Sequence, residues 1–214
     1  MRYRDREHAG LVLAELVAAE ADLGPEPLVL GLVRGGVPVA AALAGALRLP
    51  LDALVVRKLG VPGAPEVAFG ALGPGGVRIV NEDIAVHLDE REMAAVERHE
   101  AAELVRREGL YRAGRPPPRL GGRTAVVVDD GLATGATARA AVAVARILGA
   151  ERVVVAVPVG SPEAMDLVLA EADGVICPEV PWQFLAVGLG YEDFEQVTDA
   201  EVLELLAPGH APAP

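Results

Sequence analysis

Two adjacent acids, Asp129 and Asp130, close the apolar run Thr124-Ala125-Val126-Val127-Val128 and open the loop Gly131-Leu132-Ala133-Thr134-Gly135-Ala136-Thr137. The run reads as a strand and the residues from Thr137 onward as a helix. In open α/β sheets, ligands bind beyond the carboxyl ends of the strands. A helix N-terminus presents backbone N–H groups to an anion, and threonine hydroxyls add further donors. The loop Ala133-Thr134-Gly135-Ala136-Thr137 is therefore built for a phosphate. The acids would repel that phosphate, but they can accept hydrogen bonds from vicinal hydroxyls such as those of a ribose. A strand–turn–helix whose acids merely cap it is the plainer reading of the same pattern.

Competing chemistries can be tested at single positions, because the chain has one lysine (Lys58), one serine (Ser161) and one asparagine (Asn81) against eighteen arginines. A Walker loop needs a lysine after its second glycine, and none stands there. A Rossmann fingerprint places its acid well after the glycines, whereas Asp129 and Asp130 precede them. No Gly-x-Ser-x-Gly elbow exists. Ser161, followed by Pro162, reads as a helix N-cap rather than a nucleophile. His8, His87, His99 and His210 form no His-Glu-x-x-His pair, and His87 and His99 read as exposed helical residues, so a protein-held zinc is not expected. Cys177, before Pro178, reads as a buried end-of-strand residue.

The elements that must position these residues alternate. Apolar residues at helical spacing (Leu11, Leu13, Leu16, Val17) predict a helix over 6–21. A buried strand follows over 27–32, a helix over 37–47 and a strand over 51–56. The segment 60–76 is rich in glycine and proline around a short strand at 66–71, and 77–80 reads as another strand. A long charged helix is expected over 88–112, with Met93, Val96, Ala101, Leu104 and Val105 as its buried positions. After a stiff connector at 114–122 come strands at 123–128, 152–159 and 174–177, with helices at 137–148 and 162–170. Apolar strands alternating with helices predict a mostly parallel α/β sheet covered on both faces.

The 214 residues are 52% hydrophobic, with a mean hydropathy of +0.35 and a mass of 22.1 kDa, which excludes a disordered chain. No apolar run is long enough to span a bilayer. A charged start with no signal-peptide core, and a single cysteine, predict a cytoplasmic protein without disulfides. A net charge of −12 and a pI near 4.8 argue against nucleic-acid or anionic-membrane partners.

The acid pair and its Thr-Gly-x-Thr loop resemble the phosphoribosyl-pyrophosphate (PRPP) signature of the type I phosphoribosyltransferases. The resemblance covers roughly residues 27–194. It implies that Asp129 and Asp130 hold the ribose 2′ and 3′ hydroxyls and that Ala133 to Thr137 wrap the 5′-phosphate. By the same resemblance Arg34, Gly35 and Gly36 form a pyrophosphate loop, with a non-proline cis peptide beside Arg34 or Gly35. Arg57 and Lys58 would open a mobile loop over the reacting centre. Pro181-Trp182-Gln183-Phe184, with Val187, Gly188 and Tyr191, is similar to the base-binding hood of 6-oxopurine members. Here Gln183 stands at the usual lysine position, and Ala133 stands where those enzymes carry a third carboxylate. Glu66 is the one candidate named for a general base. Four of the seven aromatics fall at 182–194, where they could equally seal a small core.

The resemblance thus implies a type I phosphoribosyltransferase fold: about five mostly parallel strands flanked by helices, plus a small hood and a long helical insertion. One domain would span 1–207, with its core at 27–177, the insertion at 82–113 and the hood at 178–206 joined by the N-terminus. A disordered tail would follow at 208–214. The implied activity is Mg2+-dependent transfer of the phosphoribosyl group from PRPP to a nucleobase-like acceptor in nucleotide salvage. Catalysis would rest on Asp129, Asp130, Arg57 and Lys58, and magnesium would be held by substrate and water near the acid pair. A homodimer interface is one role open to the long helix. A non-catalytic PRPP-binding regulator and transfer to a non-nucleobase acceptor are the alternatives.

Overall fold

Strand and helix alternate over residues 28–54 and 124–176, on either side of a run of consecutive strands, and a computed structural model shows how they stack. It describes residues 2–20, 23–24, 26–112 and 114–207, with all their side chains except those of Glu20 and Glu66. The Glu66 carboxylate and the 208–214 tail therefore lie outside the described residues. In chain order the elements are α1 (Arg6–Glu20), β1 (Leu28–Leu32), α2 (Gly36–Leu47), β2 (Leu51–Leu54), β3 (Arg57–Val61), β4 (Ala64–Gly73) and β5 (Val77–Val80). Then come α3 (Glu82–Ala85), α4 (Glu90–Arg112), β6 (Thr124–Val128), α5 (Ala136–Ile147), β7 (Arg152–Ala156), α6 (Pro162–Leu169), β8 (Gly174–Ile176) and α7 (Asp199–Leu205).

Five strands form a parallel sheet in the order β2-β1-β6-β7-β8. The central strands β1 and β6 are buried along their whole length, which is why they read as unbroken apolar runs. Their side chains alternate between two cores. Ala125 and Val127 of β6 point with Leu28 and Leu30 into the core built by α5 and α6. Val126 and Val128 point with Val29 into the core built by α1 and α2. The chain leaves β1 toward β2 and leaves β6 toward β7, so the strand order reverses between β1 and β6. That reversal opens a crevice at their carboxyl ends.

The second sheet is antiparallel, in the order β3-β4-β5. It contains the strand expected at 66–71, which runs longer, and the one expected at 77–80, and it corrects the expectation of a mobile loop opening at Arg57-Lys58. Leu59 and Phe69 are fully buried there, in a third core with Leu104 and Tyr111 of α4 and Val202 of α7. Burial against those helices overrides the weak strand propensity of the glycines and prolines, and irregularities around Gly60 absorb them. The long helix is thus the cover of the hairpin sheet. It begins at Glu90 rather than 88, because the Asp89 carboxylate accepts the N–H groups of Arg91 and Glu92 (2.9 and 3.1 Å). Met93, Val96 and Ala101 pack on this core, but Val105 is 70% exposed and is not one of its buried positions. His99 is exposed on α4, while His87 is exposed in the turn after α3 rather than in a helix. Strand β7 ends at Ala156, short of the expected 159, since Pro158 cannot donate to the ladder.

Candidate functional site

The crevice between β1 and β6 receives two loops. The first, Val33-Arg34-Gly35, joins β1 to α2 and contains a cis peptide between Val33 and Arg34, at the place expected. Gly36 opens α2 directly against the end of β6. A Cβ there would lie 2.5 Å from the Val128 carbonyl oxygen and 2.8 Å from the Asp129 Cα, so only glycine permits this approach. The second loop runs from Asp129 to Thr137 and contains the acid pair.

Asp129 and Asp130 are half-buried, and their positions are fixed by the local backbone. The Asp130 N–H donates to Asp129 Oδ1 (2.9 Å). The Tyr191 hydroxyl donates to the Asp130 carbonyl (2.6 Å). Burial and the neighbouring Asp130 charge push the Asp129 carboxyl well above the usual range. Burial also raises Asp130, against the opposing pull of Arg6. Two crowded acids of this kind favour ligands that bring hydroxyl donors or positive charge.

The phosphate loop is held from behind. Ser161 caps α6, accepting the Ala164 N–H (3.1 Å), and its hydroxyl donates to the Ala133 carbonyl (2.8 Å). Leu132 pairs with Gly160 as a parallel bridge. Gly135, with φ of 74°, turns the chain into α5 and supplies no side-chain cap, and the Ala136 N–H donates to the Thr134 hydroxyl (3.4 Å). Thr134 and Thr137 are exposed beside this terminus, so the loop Ala133-Thr134-Gly135-Ala136-Thr137 has the hydroxyls and helix N-terminus that could receive an anion.

Three guanidinium groups face the same crevice from three directions. A cavity of about 580 Å³ is lined by Arg34, Gly35 and Asp130, by Phe194 and Val187, and by Arg6 and Arg107. Arg6, in the first turn of α1, donates through Nε and Nη2 to Asp130 Oδ2 (3.0 and 2.9 Å) and through Nη1 to the Glu195 carbonyl (2.8 Å). Its guanidinium lies 3.9 Å from the centre of the Phe194 ring. Arg34 pairs with Asp199 of α7 (3.4 Å), which also accepts the Tyr111 hydroxyl (2.7 Å). Arg107 pairs with Glu103 one turn earlier on α4 (2.6 Å).

Sequence reasoning named Arg34 but missed Arg6 and Arg107. Arg6 stands in a charged N-terminal stretch and Arg107 on a charged helix, and neither carries a motif.

Arg57, Lys58, Trp182, Gln183 and Phe184 do not line this cavity. Arg57 and Lys58 lie on strand β3, not in a loop, and Arg57 is engaged by Glu100 of α4 (2.6 Å). Trp182 is 91% exposed and Gln183 is exposed. Phe184 packs with Tyr3, Tyr191, Phe194 and Val159. This cluster ties residues 187–194 to the N-terminus, where the Tyr3 N–H donates to the Gly190 carbonyl (2.8 Å). Cys177 follows β8, half-buried, and burial pushes its thiol up to about 12. Among the described residues no group of three or more His, Cys, Asp or Glu side chains could hold a metal, and no helix is long and apolar enough to cross a membrane.

Known proteins resemble this arrangement closely. A solved structure titled TT1426, from Thermus thermophilus, is similar with a TM-score of 0.88 and 45% identity over 96% of this chain and 98% of that one. A Mycobacterium tuberculosis protein named "Putative phosphoribosyl transferase Rv0571c" is 50% identical over 97% of this chain. The chain spans about half the length (47%) of that relative. AQ2163 from Aquifex aeolicus, 12% identical with a TM-score of 0.50 over 82% of this chain and 74% of its own, shares the fold. The family model for the phosphoribosyl transferase domain matches residues 11–193, a span that includes Arg34, the acid pair and the phosphate loop. The chain belongs to the phosphoribosyltransferase family and has its type I fold.

Proposed function

We propose that this chain transfers the 5-phosphoribosyl group of PRPP to a nitrogenous base and releases pyrophosphate. The observation that carries the reading is the meeting of three ligand-matched parts at one crevice. They are an anion cradle at α5, a crowded acid pair, and an arginine-lined cavity behind Arg34. PRPP has the same three parts in the same order: a 5′-phosphate, a ribose diol and a diphosphate.

In this reading the α5 N-terminus and the Thr134 and Thr137 hydroxyls hold the 5′-phosphate. Asp129 and Asp130 accept the 2′ and 3′ hydroxyls, which orients the ring and favours positive charge on it. Arg34 and the backbone at Gly35 and Gly36 hold the diphosphate. A base nitrogen then forms a bond to the anomeric carbon while the carbon–oxygen bond to pyrophosphate breaks. The electron pair leaves with pyrophosphate, and the N–H proton lost by the base passes to water or to the departing pyrophosphate. The transition state is cationic at the ring and anionic at the leaving group, so fixed carboxylates on one side and guanidinium groups on the other stabilise both charges. Arg57 and Lys58, on the hairpin sheet, are assigned to the leaving group, with Arg57 first released from Glu100. In this reading the acceptor enters beside Phe194 and Val187, and Trp182, Gln183 and Phe184 form the outer hood.

A magnesium ion fits this donor set only as a guest of the substrate. Two adjacent carboxylates with raised affinity for protons favour a nearby cation, yet no third protein ligand joins them among the described residues. Mg2+ keeps several waters and takes phosphate oxygens readily, and bound here it would neutralise the diphosphate. Asp129 and Asp130 would face it through water and ribose oxygens.

The test is pyrophosphate release from PRPP with magnesium across a panel of purine and pyrimidine bases. Base-dependent release supports the enzyme and identifies its acceptor. Tight PRPP binding without release would instead favour a PRPP-binding regulator, a reading to which the engagement of Asp130 by Arg6 gives some weight. Absence of both release and binding would overturn the proposal.

A further inference from the structure

Arg6 engages one oxygen of Asp130, one of the two carboxylates that the proposed chemistry assigns to the ribose hydroxyls. Its Nε and Nη2 both donate to Asp130 Oδ2, so that oxygen is filled before any ribose hydroxyl arrives. The pair is well sheltered, with the Arg6 and Asp130 side chains 12% and 17% exposed. Phe194 and the Glu195 carbonyl fix the far side of the guanidinium. Separating two sheltered charges is costly unless each finds a new partner. Water alone is a poor replacement, whereas an anion arriving in the same cavity is a good one. Arg6 lines that cavity together with Arg34 and Arg107, so a diphosphate seated there would meet three guanidinium groups drawn from α1, the β1–α2 loop and α4. Guanidinium forks match phosphate oxygens as well as they match carboxylate oxygens.

Resting on the phosphoribosyl reading above, we infer that Arg6 is an exchangeable latch, which leaves Asp130 for a diphosphate in the cavity and thereby frees the carboxylate for the ribose hydroxyls. Filling of the diphosphate end and opening of the ribose end become one coupled event. The site then discriminates against phosphosugars without a diphosphate, because nothing in them draws Arg6 away. Linkage makes the coupling reciprocal: each fragment must tighten the other by the same factor. A magnesium ion shared by the two fragments would also couple them positively, so the diagnostic is loss of the coupling in an Arg6 variant with magnesium unchanged.

The experiment is calorimetric titration of the whole chain, in magnesium, with PRPP, with ribose 5-phosphate, and with ribose 5-phosphate in saturating inorganic pyrophosphate. For the wild type we expect pyrophosphate to tighten ribose 5-phosphate by about fivefold or more. In Arg6→Gln, ribose 5-phosphate alone should bind several-fold tighter than to the wild type, pyrophosphate should bind about tenfold weaker, and the coupling should vanish. Arg6→Lys keeps the charge without the fork and should fall between them. It also serves if the glutamine variant does not fold, as judged by circular dichroism. Wild-type coupling that is absent or negative, or coupling that stays at the wild-type level in a folded Arg6 variant, would overturn the latch while leaving PRPP binding intact. A wild type that binds neither PRPP nor its fragments would overturn the phosphoribosyl reading itself.

Discussion

The two ends of the crevice are built by opposite strategies. The phosphate end is contiguous: Asp129 to Thr137 is a single stretch between β6 and α5, and its donors belong to the backbone and two nearby hydroxyls. The cationic end is convergent. Its arginines come from positions 6, 34 and 107, and each is held by a partner remote from the acid pair's loop or, for Arg6, by Asp130 itself. A contiguous site depends on local turn geometry and the element directly behind it. A convergent site depends on helices α1, α4 and α7 all docking correctly, so damage far from the ligand should reach it.

The comparison rests first on the acid pair, where the two ends meet. The double substitution Asp129→Asn, Asp130→Asn should lower PRPP turnover by about 10³-fold or more, since it removes both ring-facing charges. Steady-state pyrophosphate release checks this, and retention of full turnover would sink the assigned roles. Next comes the seam between the ends. Gly36→Ala drives a Cβ into the Val128 carbonyl, and should destabilise the chain by about 2 kcal/mol, or roughly 6 °C in thermal unfolding.

Two smaller substitutions should separate the ends. Ser161→Ala removes a helix cap and the strut to Ala133, at about 1.5 kcal/mol, and should weaken ribose 5-phosphate binding with little effect on pyrophosphate. Tyr111→Phe removes the hydroxyl that steadies Asp199 under Arg34, at about 1 kcal/mol, and should weaken pyrophosphate with little effect on ribose 5-phosphate. Equal losses for both ligands in both variants would show that the two ends are not independently built.

The smallest effect concerns pH. Asp129 binds its proton more tightly in the folded chain than in the unfolded one, so between the ordinary carboxylate range and its raised value the folded state holds more protons. Stability contributed by this group is therefore lost as pH rises through that window. Asp129→Asn should raise the melting temperature at pH 8 and leave it unchanged near pH 4. A lower melting temperature at pH 8 would show that Asp129 is stabilised by contacts outweighing its burial.

The amino-acid sequence by itself determined the parallel sheet, the phosphate loop and the acid pair. Buried strands must be continuous apolar runs when both faces are covered, and glycine at 135 is a local necessity of the turn into α5, where φ is positive. The Ser161 cap was equally legible, since capping is a contact over three residues. The hairpin sheet was legible only in part: strands at 66–71 and 77–80 could be read, but β3 looks like the start of a loop until a third core is present to bury Leu59 and Phe69. The two roles open to the aromatics at 182–194 were likewise divided only by packing, which buries Tyr191 and exposes Trp182. Arg6 and Arg107 became site residues only in the tertiary structure. A charged residue on a helix looks the same in sequence whether it faces solvent or a cavity, and the docking of α1 and α4 decides which.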